Sequence, residues 1–525
     1  MADRHRPRSG EAKCSSSQAT GDWAALPCDC LQQVLLLLPL RDRVAAASVC
    51  KAWRGLGDRG TLWSHVEFAT HRNGSRRSEL RRLLSLAAWC ERHAGGTRSL
   101  SVSARVPPDC QPAALKDVAA AALAAAPSLR SLHVTTNRGF WPSFLSSLHQ
   151  LRSLHLSSKE GGLSLTHDLT PLRHLTSLVL EARQAVSLSD TVRLPPGIVT
   201  VELSCIRDWL PQPLSQLAGL QRLHVRRGLV SEGVLLTEYE ALGHLKALTS
   251  LALEHQEEEA WLLPPEMLLL TRLRSLSFAG NDCSRERGWA LHGSDEAFDG
   301  CLARMLHLTS LDISGCCMEE LMPALLHDTD QHGTAGSGSD GEEQQQGGPN
   351  ANGRPAGGPR LLRLLAHGNQ LEAGEEEDGQ LRFPGSLRQL SIDVQLLAVS
   401  GLRLPPGCRQ LALMGREKAA ALRALAAGLP ALLQQAPELR HLVLEPPALE
   451  ALEQLGSGGA EPELVQGPGG RWRPTRLPGQ PRLRQQGDAL QQLRAAGVEV
   501  VELREAGQLL ALLDQLAASG QQAAS

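Results

Sequence analysis

Histidine and arginine recur at fixed offsets in the first half of this chain, and they carry its most obvious binding chemistry. Arg130, Ser131 and His133 are followed by Arg152, Ser153 and His155 in the same order, 22 residues on. Arg222, His224 and Arg226 renew the pattern later. Cationic groups of this kind bind carboxylates and phosphates through charge-assisted hydrogen bonds. Arg130, His133, Arg152, His155, Arg222, His224 and Arg226 are therefore a candidate strip for an acidic or phosphorylated segment of a target. They are also ordinary polar residues for a solvated face, and both readings stay open. Zinc is not expected at His133 and His155, because a closed site takes four ligands and no others align.

Other reactive-looking groups point elsewhere. Gly336-Ser337-Gly338-Ser339-Asp340-Gly341 fits GxGxxG, but it sits in a Gly/Ser/Gln tract with no strand before it and no helix after it. The acidic runs Glu257-Glu258-Glu259 and Glu375-Glu376-Glu377-Asp378 read as solvated connectors, since nothing apolar around them would raise a carboxyl pKa. No Ser/His/Asp or Cys/His set can be anchored to a motif. No catalytic residue, cofactor or metal is assigned.

Composition narrows the class further. Aromatics make up 3% of the 525 residues and Tyr239 is the single tyrosine, which argues against a base-stacking platform. A net charge of -3 suggests neither nucleic acid nor an acidic membrane as partner. The 12 cysteines contain no CxxC and no disulfide framework, the pattern of a reduced compartment such as cytosol or nucleus. No apolar run reaches the length of a membrane span.

The elements that must position the strip follow a leucine frame. Leu129, Leu132 and Val134 set an LxxLxL unit, repeated at Leu151/Leu154/Leu156 and Leu175/Leu178/Leu180. Further units start at Ile198, Leu220, Leu248, Leu273, Leu308, Leu361, Leu387 and Leu439, with weaker ones at Thr97, Cys408 and Val498. Spacings from Leu129 to Leu220 are 22, 24, 23 and 22 residues, inside the roughly 20–29 of leucine-rich repeats. The LxL pair points two alternate strand residues inward, and one unit cannot bury that face without neighbours. Residues between the leucines face outward, which adds Glu254, Asp312, Asp393 and Glu445 to the outer surface. A stack of roughly a dozen strands spans about 55–60 Å, enough for a folded protein. The repeat's asparagine position is filled by Asn137, Asn281 and Asn369, with Cys316 substituting once.

Ahead of the repeats stands Asp22 to Trp63. One apolar run covers Leu31 to Leu38 and a second covers Val44 to Trp53, with Pro39 and Arg41-Asp42-Arg43 between them. These read as two helices too short and too apolar to bury all their surface on each other. A plain N-terminal cap of the array would have that hydrophobicity. Read in order, however, Leu26-Pro27, Val34-Leu35, Leu38-Pro39, Asp42, Val49-Cys50-Lys51, Trp53-Arg54 and Leu62-Trp63 resemble an F-box. The segment departs from that family at Asp29, Cys30 and Arg43, the last standing where an apolar residue commonly follows the Asp. The resemblance implies docking on a Skp-type adaptor of a cullin-RING ubiquitin ligase. Leu26, Pro27, Leu31, Val34, Leu35, Leu38, Pro39, Val49, Cys50 and Trp53 would form or support that surface.

The expected architecture is α/β. A short helical F-box (22–68) follows a disordered leader (1–21). A linker with an amphipathic helix (69–96) follows, with Leu80, Leu83, Leu84, Ala87 and Ala88 inward and Arg81 and Arg82 pointing away. A leucine-rich-repeat horseshoe with parallel strands on its concave face occupies 97–327 and 360–453. It is broken by a disordered insertion (328–359) and a flexible Gly/Pro-rich loop (454–484), and ends in a terminal repeat and capping helix (485–525). The resemblance implies a non-catalytic substrate receptor whose partners are the Skp-type adaptor, a cullin and a target protein held by the repeats. A ligase-independent repeat scaffold or ligand-binding protein is the alternative.

Overall fold

The computed structural model describes residues 26–57, 60–70, 75–104, 111–137, 139–140, 143–206, 210–226, 240–254, 265–280, 302, 305–316, 318, 360–369, 371, 383–398, 402–415, 424–425, 428, 431–446, 448–450, 463–466, 472–475, 493–503 and 508–522. The expected leader, the 328–359 insertion, the GxGxxG run, both acidic runs and Asn281 lie outside these residues.

Three helices open the chain: α1 (Cys28–Leu36), α2 (Leu40–Ala47) and α3 (Lys51–Gly57). Pro27 and Pro39 each precede a helix with φ at -53°, where a proline ring presets the start and no N–H is wasted. The second apolar run is thus not one helix. It breaks at Ser48–Cys50, where the Ser48 hydroxyl turns back to the Ala45 carbonyl at 2.6 Å and competes with the helical ladder.

Arg43 explains how such short helices hold together. Its guanidinium donates to the carbonyls of Leu36 at 3.1 Å and Leu38 at 2.9 Å, at the end of α1, where helical carbonyls lack partners. It also donates to the Leu62 carbonyl at 2.8 Å, so it ties the first helix to the segment's far end. Burial lowers its pKa from the usual 12.5. An apolar residue there could make none of these bonds.

The opening segment then runs straight into the sheet. Leu62 and Trp63 are buried, and β1 (His65–Ala69) pairs in parallel with β2 (Ser99–Ala104), His65 opposite Ser99. Between them, α4 (Arg76–His93) sends the Trp89 ring edge-on to Trp63, with centroids 5.0 Å apart. Its inward face is Leu83, Leu86, Ala87 and Cys90. Leu84 and Ala88, expected inward, are exposed. Arg82, expected to point away, pairs with the buried Glu79 at 3.1 Å and lies over the Phe68 ring.

From β2 onward each leucine unit delivers a strand. Helix α5 (Gln111–Ala125) packs on α4. The strands are β3 (Ser131–Thr136), β4 (Gly139–Phe140), β5 (Ser153–Ser158), β6 (Leu163–Leu165), β7 (Ser177–Leu188), β8 (Thr200–Ile206) and β9 (Arg222–Arg226). After α6 (Glu240–His244) come β10 (Ser250–Glu254), β11 (Ser275–Ser277), β12 (Ser310–Asp312), β13 (Arg363–Leu365), β14 (Gln389–Asp393), β15 (Gln410–Met414) and β16 (His441–Leu444). Within 454–484, β17 (Glu463–Gln466) and β18 (Trp472–Thr475) form a separate antiparallel pair, which the leucine frame does not foresee. The main sheet of 17 strands ends at β19 (Glu499–Glu502), which pairs in parallel with β16. Leucines of each LxL pair stack in register, Leu132 on Leu154 on Leu178, and form a continuous core.

The last helix, Leu509–Gln522, packs on the final strands. It turns back over the outward face of the final strands, where Leu509 and Leu513 pack with Leu365, Ala412, Met414, Val443 and Leu503. No helix among the described residues is long and apolar enough to cross a membrane.

Candidate functional site

Two surfaces carry the side chains singled out above. On the opening helices, burial divides them. Leu31 and Leu35 are 3% and 1% exposed, so they face the core and not the surface. Leu38 and Trp53 are partly buried against the same core, and Cys50 is half-buried. Leu26, Pro27, Val34, Pro39 and Val49 stand exposed. The structure adds Leu37, which is 86% exposed, and Val44. Periodicity predicted that some of this apolar surface must remain uncovered, but it did not say which leucine of the Leu35–Leu38 run would point out. Arg43 sets that, by capturing the carbonyls on either side of Leu37.

The second surface is the outward face of β2 through β12. His133 and His155 stack in register, with ring centroids 3.9 Å apart and planes 4° from parallel. His133 Nε2 lies 3.3 Å from the Thr135 hydroxyl. Burial, then the neighbouring His155, hold the His133 pKa below its ordinary value. His155 Nε2 is 3.3 Å from Glu181, and Lys159 approaches the same carboxylate at 4.0 Å. The neighbouring His155 is the main cause that holds Glu181 down to about 2.

Further along, His224 lies between two acids, 3.0 Å from Glu254 and 3.8 Å from Glu202. Arg226 reaches both, at 3.3 Å to Glu202 and 3.5 Å to Glu254. Arg222 donates to the Thr200 hydroxyl at 3.2 Å. Arg130 and Arg152 stand exposed one residue before their strands, and their backbones are linked by a 2.7 Å hydrogen bond. The acids thus pair with His155, His224 and Arg226, while Arg130 and Arg152 stand at the exposed rim of the strip. Glu181 and Glu202 are what the sequence reading missed. The signal was present, since both occupy outward positions of their units.

Three of the acids expected on the outer face serve the fold. Asp312 accepts from the Ser314 amide and hydroxyl, and burial raises its pKa. Asp393 and Glu445 each accept a backbone N–H, from Gly368 and Gly415, both at 2.8 Å. Among the described residues, no cluster of His, Cys, Asp and Glu could hold a metal ion.

Residues 23–69 match the F-box-like family model. The chain is an F-box-like segment joined to leucine-rich repeats. Over 51 residues it is 41% identical to Protein ARABIDILLO 1 of Arabidopsis thaliana, and over 69 residues it is 35% identical to Protein ARABIDILLO 2 of the same plant. These matches cover 10% and 13% of this chain, and they span only 6% and 7% of the relatives' length. Among solved structures, the TLR13–ssRNA13 complex is similar with a TM-score of 0.37 and 14% identity, covering 74% of this chain and 52% of that one. A leucine-rich-repeat protein of Leptospira interrogans is similar with a TM-score of 0.30 and 12% identity, covering 67% and 85%.

The F-box-like match ends at the last residue of β1, so the domain shares a strand with the sheet it introduces. Its exposed apolar face and the polar strip are thus parts of one continuous body.

Proposed function

We propose that this protein is a non-catalytic substrate receptor of an SCF-type cullin-RING ubiquitin ligase. Its F-box-like helices dock on a Skp-type adaptor, and its repeats hold a target protein. The observation that carries the reading is the apolar set Leu26, Val34, Leu37, Val44 and Val49, left exposed on a segment that matches the F-box-like family. Isolated apolar side chains are normal on a surface, but five on so short a segment need a partner. Holding target and adaptor on one rigid body raises the local concentration of target lysines at the ligase's charged E2, with no chemistry in this chain. A reduced compartment, cytosol or nucleus, fits the spacing of its cysteines, which has no disulfide framework.

Co-purification with a Skp-type adaptor tests it. Leu37→Asp combined with Val49→Asp alters only exposed positions, so the melting temperature should stay unchanged while adaptor capture is lost. Buried interface anchors typically cost about 2–4 kcal/mol each when removed. Full adaptor capture by the double variant would sink the proposal. Trp53→Ala is a poorer test, because Trp53 also packs against the core.

A further inference from the structure

The outward face changes character along the sheet. At the central outward position, registered strands carry Ser101, His133, His155, Val179, Glu202, His224, Ala252, Ser277 and Asp312. The same position then becomes Leu365, Ser391, Ala412, Val443 and Val501. Met414 and Leu503 add to it and are buried. A solvated repeat face has no use for this apolar run.

What covers it is the helix Leu509–Gln522. Leu509 and Leu513 are buried in a cluster separate from the main core, and Leu512 and Leu516 are partly buried beside them. Leucines at 509, 513 and 516 follow the i, i+4, i+7 spacing of a helix that lies in a groove. Polar contacts fix its register: Arg363 on β13 pairs with Asp514, which is otherwise exposed, and bonds Gln389, whose side-chain amide donates to the Leu513 carbonyl at 3.4 Å. The helix lies over β19 through Val501 and Leu503. It reaches inward as far as β13.

We propose that the trough lined by Leu365, Ala412, Met414 and Val443 is a docking groove for a partner's amphipathic helix, held in this state by the chain's own last helix as a tethered competitor. The partner helix would carry leucines at the spacing of 509, 513 and 516, and an acid opposite Arg363. Tethering gives the chain's own helix an effective concentration of about millimolar, so a weakly held helix still excludes a free one. Release of the last helix would open the groove for the partner helix. The inference stands on packing alone and does not require the ubiquitin-ligase reading.

The probe is a fluorescein-labelled peptide of residues 507–522, titrated with the full-length chain and followed by anisotropy. Leu513→Asp in the chain unseats its own helix and leaves the trough intact. That variant should bind the peptide at least about tenfold more tightly than the wild type. A peptide bearing the same Leu513→Asp change should not bind. Arg363→Asp, added to the Leu513→Asp chain, should weaken binding, and a peptide with Asp514→Arg should restore it. Should Leu513→Asp perturb folding, Leu509→Ala with Leu516→Ala is the milder way to loosen the helix. Equal binding to wild-type and released chains, or none to either, overturns the proposal. So does failure of the charge exchange.

Discussion

Arg43 is a single charged residue on which the exposure of its neighbours depends. Replacing it with leucine would restore the apolar side chain common in F-boxes, yet it would strand the carbonyls of Leu36, Leu38 and Leu62. Hydrogen bonds from charged donors contribute about 1.5–3 kcal/mol, and Arg43 is partly solvated. We therefore expect Arg43→Leu to cost about 1–2 kcal/mol in urea unfolding, with weaker adaptor capture as Leu37 loses its presentation. An equal or higher midpoint would show that the three bonds contribute nothing. His133 is the other residue with a readable consequence. Burial comes first and His155 second among the causes that lower its pKa from 6.5; Lys159 acts the same way, while Glu181 and Glu67 oppose. A base with a lowered folded pKa takes up its proton less readily than in the unfolded chain. Stability therefore falls as pH drops through 6.5 towards the folded value. His133→Gln removes that penalty, so its melting temperature should fall less than the wild type's between about pH 7.5 and about pH 5.5. Parallel curves for the two proteins would refute it. Glu181 acts in a lower window, since its contribution is present above 4.5 and is lost as pH falls towards 2.

At the scale of the element, the turns after β11, β12 and β13 show what the leucine frame alone does not specify. Gly280, Gly315 and Gly368 follow three successive strands with φ of 77°, 66° and 72°, a region open to glycine and strained for other residues. Gly315 also leaves little room above Gly368, where an added Cβ would meet its backbone at 3.3 Å. Beside this column Asn369 donates to the carbonyls of Ile313 and Ala366 and accepts from the amides of Cys316 and Met318. Asn369→Ala should cost about 2–3 kcal/mol, since buried backbone groups lose partners they cannot replace; a loss below about 0.5 kcal/mol would mean that water replaces the amide. The strands were legible because LxxLxL carries period-two burial directly in the residue types, and even the weak units at Thr97, Cys408 and Val498 produced strands. Helix α4 was read less well. Arg82, expected to point away, pairs with the buried Glu79, and the inward face runs through Leu86 and Cys90 in place of Leu84 and Ala88. The acids beside the cationic strip are less legible for a related reason. Its cations recur at visible intervals, but Glu181 and Glu202, which meet His155 and Arg226, come from neighbouring units and reach them only through sheet register.

For the whole molecule, the boundary between its two parts is the informative feature. The sequence suggests an F-box, then a linker, then an array. In the fold, β1 is the first strand of the 17-stranded sheet, and Trp63 is sealed by Trp89 from the next helix. A repeat array is stabilised by nearest-neighbour interfaces, so the F-box-like segment takes its support from α4, β2 and α5. This yields a prediction about autonomy. A fragment that stops at Thr70 keeps every F-box-like residue but lacks the partner strand of β1 and the Trp89 ring. It should give a weak helical signal and unfold without a cooperative transition. Extension to Ala126 restores β2, α4 and α5, and a cooperative melt should return, together with adaptor capture. If the shorter fragment melts cooperatively by circular dichroism and binds the adaptor as well as the longer one, the two parts are independent modules. In that case the shared strand does not transmit position. If it behaves as expected, the distance from adaptor to target is set by a continuous sheet and not by a flexible join. On the proposed function, a target held between β2 and β12 would then meet the ligase in a fixed orientation.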